Sequence, residues 1–388
     1  MRKEEFSAKS PGQLVKNLDG KLAFVPSDLP PAIDWKDSLI LSFGIANQRL
    51  GELKGLGRNL PNPKRLMRMF LRREAELSSK IENTFARVKT MLLFEQLPAV
   101  ESETPSVREV HNNFLALEHA FANAQRRAIT RSLIKEMHAI LLRGVRGSDK
   151  KPGQFRTVQA HIGRTAYIEE ARFVPSPPHA IESCMEALEK YLAGKDQIPT
   201  VVRAALAHYQ FEAIHPFADG NGRVGRALLL LQLVRENVLS SPLLNPSAQL
   251  ELHREEYYDR LLAVSQRGQW TEWIEFFCRC LADEASDAIL RIERIESLRN
   301  RYHEMVRQPR ASALLPKLID KLFENPSVTI PGTAKMLNVT QPGAFPLVKR
   351  LVDLKILREV TGKLRNRVYL ANDIVALFST EPITKTAQ

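Results

Sequence analysis

Twelve consecutive residues, His215-Pro216-Phe217-Ala218-Asp219-Gly220-Asn221-Gly222-Arg223-Val224-Gly225-Arg226, bring together an imidazole, a carboxylate, a glycine-rich turn and two guanidinium groups. An apolar run, Ala227 to Val234, follows directly and reads as a buried helix. A Gly/Asn turn that opens into a helix is a ready anion site, because backbone N–H groups point outward and the helix dipole favours negative charge. Arg223 and Arg226 lie three apart and share a face of the new helix. Cations at a helix N-terminus oppose the macrodipole by roughly 0.3–1 kcal/mol each. Selection for helix stability alone would put acids there. The arrangement makes sense if a polyanion, such as a nucleotide phosphate chain, fills the gap.

The elements that must position these groups are mostly helical. Residues 1–35 are mixed, and Pro61-Asn62-Pro63 breaks a helical pattern that starts at Trp35. A long helix is predicted from about Lys64 through Leu93, then helices at about 107–124 and 130–142. Residues 157–162 alternate, Gly163-Arg164 can turn, and Tyr167 to Val174 reads as a return strand, which predicts a β-hairpin. Helices follow at about 179–192, 199–214, 222–236, 251–265 and 271–306. A separate small unit covers about 311–380, with three helices and then two strands around Thr361-Gly362-Lys363. That order matches a winged helix-turn-helix.

Bulk properties bound the reading. A chain of 388 residues with 44% hydrophobic content can bury a sizeable core in two or three domains. Its three cysteines, Cys184, Cys278 and Cys280, make neither a disulfide framework nor a zinc site, and free buried thiols in a reducing compartment are expected. The charged N-terminus lacks a signal-peptide pattern, and the longest apolar run is too short to cross a bilayer. A cytoplasmic protein with no membrane contact is therefore expected. The net charge of +12 suits anionic partners without choosing among them.

The segment from His215 to Arg226 closely resembles the signature of the Fic (filamentation induced by cAMP) family, His-Pro-Phe-x-Asp/Glu-Gly-Asn-Gly-Arg-x-x-Arg, at every fixed position. Gly153-Gln154-Phe155-Arg156 resembles the lead into that family's flap hairpin, and the resemblance covers about residues 30–300. It implies a mainly α fold: a Fic-type helical core with one β-hairpin flap, here followed by the winged helix. The expected units are 1–105, 106–306 and 311–380. The implied activity is transfer of AMP from ATP to a Ser, Thr or Tyr hydroxyl of a target protein and of the enzyme itself. The target would dock its extended segment on the hairpin 157–174.

Read chemically, His215 would take the hydroxyl proton, since neutral imidazole suits that task near pH 7. Asp219 offers a hard oxygen to Mg²⁺. Asn221 and the Gly220, Gly222 and Gly225 backbone would hold the nucleotide phosphates. Arg223 and Arg226 would bind the outer phosphates, and the resemblance assigns the γ-phosphate to the second. Tyr257-Tyr258 stands where the family often has paired tyrosines near the nucleoside; only one of two adjacent helical aromatics can stack on a base. Where many relatives carry an Asn after that pair, this chain has Ser265 or Gln266.

Ser78-x-x-x-Glu82-Asn83 fits the family's inhibitory pattern, Ser/Thr-x-x-x-Glu-Gly/Asn. Glu82 pairing with Arg226 would occupy the arginine meant for the γ-phosphate. Alternatives remain in view: a Fic enzyme that removes AMP or transfers another phosphate-containing group, and a DNA-binding regulator whose core senses nucleotide. For the latter, residues 310–388 carry 12 Lys and Arg against 6 Asp and Glu, including Lys349, Arg350, Lys363, Arg365 and Arg367. Contact of the winged helix with DNA or protein is expected, and a homodimer is left open.

Overall fold

The computed structural model describes residues 1–388 except 18, 61–62, 98–103, 123–127, 164–166, 308–311 and 380–388. The chain opens on an antiparallel pair, β1 (Gly12–Lys16) and β2 (Leu22–Pro26), with Gly12 opposite Pro26 and Lys16 opposite Leu22. The Asn17 carboxamide oxygen closes it by accepting the N–H groups of Asp19 and Lys21. No sequence pattern had suggested this pair within the mixed residues 1–35.

Fifteen helices longer than a single 3₁₀ turn are described. They are α1 (Asp37–Asn59), α2 (Pro63–Ile81), α3 (Val88–Gln96), α4 (Pro105–Ala122), α5 (Arg131–Leu141), α6 (Pro178–Ala193), α7 (Thr200–Ile214), α8 (Asn221–Arg235), α9 (Ser247–Leu252), α10 (Arg254–Arg267), α11 (Trp270–Val306), α12 (Leu314–Leu322), α13 (Ile330–Leu337), α14 (Gln341–Asp353) and α15 (Asn372–Ala376). Helices α7 and α8 form the centre. Both are buried on nearly every face, polar side chains such as Arg203, His208, Arg223 and Arg226 included. Around them pack α1, α2, α4, α5, α10 and α11. Trp273 of α11 is fully buried and donates its indole N–H to the Ala205 carbonyl of α7 at 3.0 Å. The three cysteines are free and buried.

Two expectations need correction. The helix expected over about 64–93 breaks after Ile81 and restarts at Val88. Asn83 takes a left-handed conformation with φ 58°, while Thr84 N–H bonds Ser79 C=O and Asn83 N–H bonds Lys80 C=O, each at 3.0 Å. That bond pair is a Schellman end, which favours Gly or Asn at the left-handed position. Among the described residues, the hairpin expected over 157–174 is a single bridge, Ile162 to Phe173, joined by two backbone bonds of 2.8 and 3.0 Å. Ile168–Glu170 is a 3₁₀ turn rather than strand, and 164–166 lie outside the described residues. Val158 and Tyr167 at the far ends are exposed, while Ala171, Phe173 and Val174 are buried, so the apolar contacts of the segment lie near the bridge.

Past α11, helices α12 to α14 and a three-stranded antiparallel sheet complete the C-terminal unit. Its strands β3 (Ser327–Val328), β4 (Arg358–Glu359) and β5 (Tyr369–Leu370) lie in the order β3-β5-β4. Thr329 and Thr340 cap α13 and α14 through their hydroxyls; Pro342 sits in the first turn of α14 and Pro346 inside it. The unit packs on the rest of the chain. Phe378 meets Phe70 of α2 edge-on at 5.5 Å, and Ser327 Oγ donates to Leu92 C=O at 3.2 Å. Arg73 of α2 lies at the centre of a buried polar cluster. It bonds Glu284 at 2.7 Å, Asn245 at 2.8 Å and the Ser379 carbonyl at 3.4 Å, while Arg291 pairs with Asp287 and donates to the Leu377 carbonyl.

Candidate active site

The loop between α7 and α8 is rigid by construction. His215 ends α7 with φ 52°, a left-handed conformation that a non-glycine residue adopts only where its surroundings hold it. Arg156 does the holding. Its backbone N–H bonds Pro216 C=O at 2.9 Å, and its guanidinium bonds the carbonyls of His215 at 2.9 Å, Val158 at 3.0 Å and Ser176. From the other side, His138 stacks on Phe217 with ring centroids 3.8 Å apart. Its Nδ1 accepts from Gly153 N–H, so its Nε2–H donates to the Asp219 carbonyl at 2.9 Å. Asn221 closes the loop: its Oδ1 accepts from Phe217 N–H and its Nδ2 donates to Phe217 C=O, both at 2.8 Å. That side chain is committed to the loop's own backbone, with one carboxamide N–H outside these two bonds. Gly220 has φ 81°, and a Cβ there would come within 2.9 Å of Leu141.

Neither His138 nor the Arg156 clamp was legible as site machinery. Arg156 showed only as part of the lead into the hairpin, and nothing in the sequence marked His138.

A cavity of about 810 Å³ opens over this loop. His215, Gly222, Arg226, Glu82, Asn83, Tyr257 and Tyr258 all line it. Burial, then the nearby Arg156, pushes the His215 imidazole down to about 4, with Glu82 opposing. The ring is neutral at physiological pH, as a base must be. Its Nδ1 is buried, which leaves Nε2 as the nitrogen open to the cavity.

Arg226 is buried and held by the end of α2. Its Nε donates to Ser78 Oγ at 2.9 Å, and its Nη2 donates to Ser78 C=O and Glu82 Oε1, each at 2.8 Å. Burial works against both charges of this pair. The opposite charge outweighs it, so Glu82 is held below the usual carboxylate range and Arg226 above the usual guanidinium range. Asn83 accepts from Arg254 at 3.0 Å. Arg223 reaches Asp219 at 3.2 Å and Glu109 at 3.9 Å, and no protein group hydrogen-bonds its buried Nε.

Among the described residues no three His, Cys, Asp or Glu side chains cluster as a metal site. Asp219 stands as a single, one-third exposed carboxylate beside the helix start. That fits Mg²⁺, which takes one or two carboxylates together with substrate phosphates.

The two tyrosines separate. Tyr257 is fully buried, and its hydroxyl donates to His208 Nε2 at 2.8 Å while His208 Nδ1–H donates to Gly225 C=O at 3.2 Å. Tyr258 is half-buried with Arg254 over its ring at 5.8 Å, and it offers the cavity the more open face. Ser265 also lines the cavity, with its hydroxyl bonded to Tyr209 at 2.9 Å.

Residues 128–233 match the Fic/DOC family, residues 41–122 its N-terminal region, and residues 315–369 an HTH DNA binding domain. The chain is 31% identical to the protein adenylyltransferase Fic of Aedes aegypti over 206 residues, which are 51% of this chain and 37% of that one. It is 29% identical to the Drosophila virilis protein of the same name over 251 residues, 61% of this chain and 48% of that one. The chain thus spans less than half the length of these curated relatives. A Fic family protein from Desulfovibrio desulfuricans shares the fold, with a TM-score of 0.59 at 19% identity, over 88% of this chain and 98% of that one.

Proposed function

We propose that this chain, which carries the Fic/DOC domain with its N-terminal region and a C-terminal HTH domain, transfers AMP from ATP to a protein hydroxyl and holds itself back through Glu82. The Arg226–Glu82–Ser78 contact at the wall of the His215 cavity is the observation that carries the reading. The adenylyltransferase relatives support the donor and the reaction type.

In the reaction, the target hydroxyl gives its proton to His215 Nε2 as its oxygen attacks the α-phosphorus. The P–O bond to the β-phosphate breaks and pyrophosphate leaves. Backbone N–H groups at the start of α8 face the charge that develops. Arg223 and Arg226 grip the outer phosphates, and Asp219 would hold Mg²⁺, which neutralises phosphate charge. Tyr258 would flank the nucleoside, and the loop around the Ile162–Phe173 bridge would seat the target segment. With Glu82 on Arg226, the γ-phosphate lacks its partner, and ATP sits in a slack geometry unsuited to in-line attack.

Incubation with α-labelled ATP tests this. The Glu82→Gly variant should label itself and lysate proteins at least tenfold more than the unaltered protein, and His215→Ala should abolish the label. Equal labelling with and without Glu82 sinks the inhibitory contact. No label in any variant sinks the transfer. An added mass other than AMP would favour a different donor, and release of AMP from a labelled target by the unaltered protein would favour removal.

The HTH match favours a second role beside the first, contact with DNA through the C-terminal unit. Lys349, Arg365 and Arg367 are exposed there on α14 and the wing.

A further inference from the structure

Glu212 lies on α7 one turn before His215 and lines the same cavity. None of the ion pairs or side-chain hydrogen bonds described above includes it. Its Oε1 is buried without a hydrogen-bond partner. That oxygen is sealed against α8 at Gly225, where a Cβ would collide with Oε1 and come within 3.0 Å of Phe211. The other oxygen is the one open to the cavity. Arg226, the cation beside it, spends its bonds on Ser78 and Glu82. An ionised carboxylate has about four acceptor sites to satisfy. One oxygen stripped of both water and donors therefore favours the neutral acid, with Oε1 as the carbonyl and the proton on the outward oxygen. A side chain that only filled space would be cheaper as Leu or Met, because burying an unpartnered polar group costs free energy.

We propose that Glu212 is a nucleotide-contacting residue whose outward carboxyl oxygen carries a proton and donates a hydrogen bond to a phosphate or ribose oxygen, so that nucleotide binding takes up a proton. The proposal rests on the ATP reading of the cavity.

Several groups face the carboxyl. From α8 comes Arg226, from the end of α2 Glu82 and from α10 Tyr257; His208 and His215 lie one turn away on α7, and Tyr258, Glu170, Arg172, Arg254 and Glu255 line the cavity elsewhere. Burial pushes Glu212 up to about 7, with Arg226 opposing and Glu82 adding. The other titratable neighbours are fixed near pH 8: Glu82 is ionised, His208 and His215 are neutral, and both tyrosines hold their protons. A polyanion entering the cavity raises Glu212 further, so at pH 8 the ionised free form becomes protonated in the complex.

Calorimetric titration with the α,β-methylene analogue of ATP, at pH 8 in buffers of different ionisation enthalpy, counts the protons. The unaltered protein should take up close to one more proton per site than Glu212→Gln, which keeps the shape and a donor but cannot titrate. Its affinity should fall about tenfold more than that of Glu212→Gln between pH 7 and 8.5. Equal proton counts and parallel pH dependence overturn the proposal while leaving the nucleotide reading intact. If Glu212→Gln fails to fold, the unaltered protein decides alone: proton uptake at pH 8 supports the proposal, and none overturns it. No binding of the analogue by the unaltered protein, or by Glu82→Gly, overturns the nucleotide reading and this proposal with it.

Discussion

His215 holds its ring neutral because the fold strips water from Nδ1 and sets Arg156 nearby. That fixes the pH behaviour of the transfer step. The base form is the neutral ring, present above the folded pKa of about 4 and lost below it. At saturating ATP, kcat of Glu82→Gly should be flat above about pH 5 and fall only near or below pH 4. Loss of Glu82 lowers the ring's pKa and the phosphates of bound ATP raise it, so the two shifts oppose each other in the complex. A midpoint near the ordinary imidazole value would mean that burial does not keep the ring neutral once ATP is bound. Residue types were the most legible layer: His215, Asp219 and Arg226 stood out from spacing, and Glu82 from the inhibitory pattern of the family the chain resembles. His138, Arg156, His208 and Glu212 did not, because their partners are backbone carbonyls or helix faces far away in the chain.

At the scale of elements, the site is built from two helix ends that each carry the wrong charge. Glu82 caps the C-terminal, negative end of α2, and Arg226 lies near the N-terminal, positive end of α8. Each placement alone opposes its helix dipole by roughly 0.3–1 kcal/mol, and setting the two ends against one another relieves both. Asn83 decides where α2 stops and therefore where Glu82 points. Asn83→Gly should keep the inhibited state. Asn83→Val must put a β-branched residue at φ 58°; it should lose about 1–2 kcal/mol of stability in denaturant unfolding and raise self-labelling by loosening Glu82. Labelling by Asn83→Val no higher than that of the unaltered protein would separate the Schellman end from inhibition. Periodicity could not see this stop, since apolar residues at helical spacing run on through Leu93. It overcounted strand at 167–174, where Ile168–Glu170 turns as a 3₁₀ helix and only Phe173 bridges back to Ile162.

For the whole molecule, the basic excess is concentrated in the C-terminal unit. If that unit binds DNA through Lys349, Arg365 and Arg367, the logarithm of the binding constant should fall linearly with the logarithm of salt. Arg365→Ala and Arg367→Ala should each lower the slope by about 1 in gel shifts across a salt series. A slope that neither substitution changes would point to other residues or to no defined contact. Connectivity at this scale was not legible, although the order of helices and wing was. Nothing in the sequence tied Phe70 or Arg73 to the C-terminal unit, yet they receive Phe378 and Ser379. Five residues on, the same helix presents Ser78 to Arg226. Five residues span about 7.5 Å of α-helix, a length over which a helix behaves as a stiff rod. Ser379 is 306 positions from Arg73 along the chain, yet it stands two handholds from the pocket. A label, tag or cut placed at that tail is an alteration next door to the chemistry.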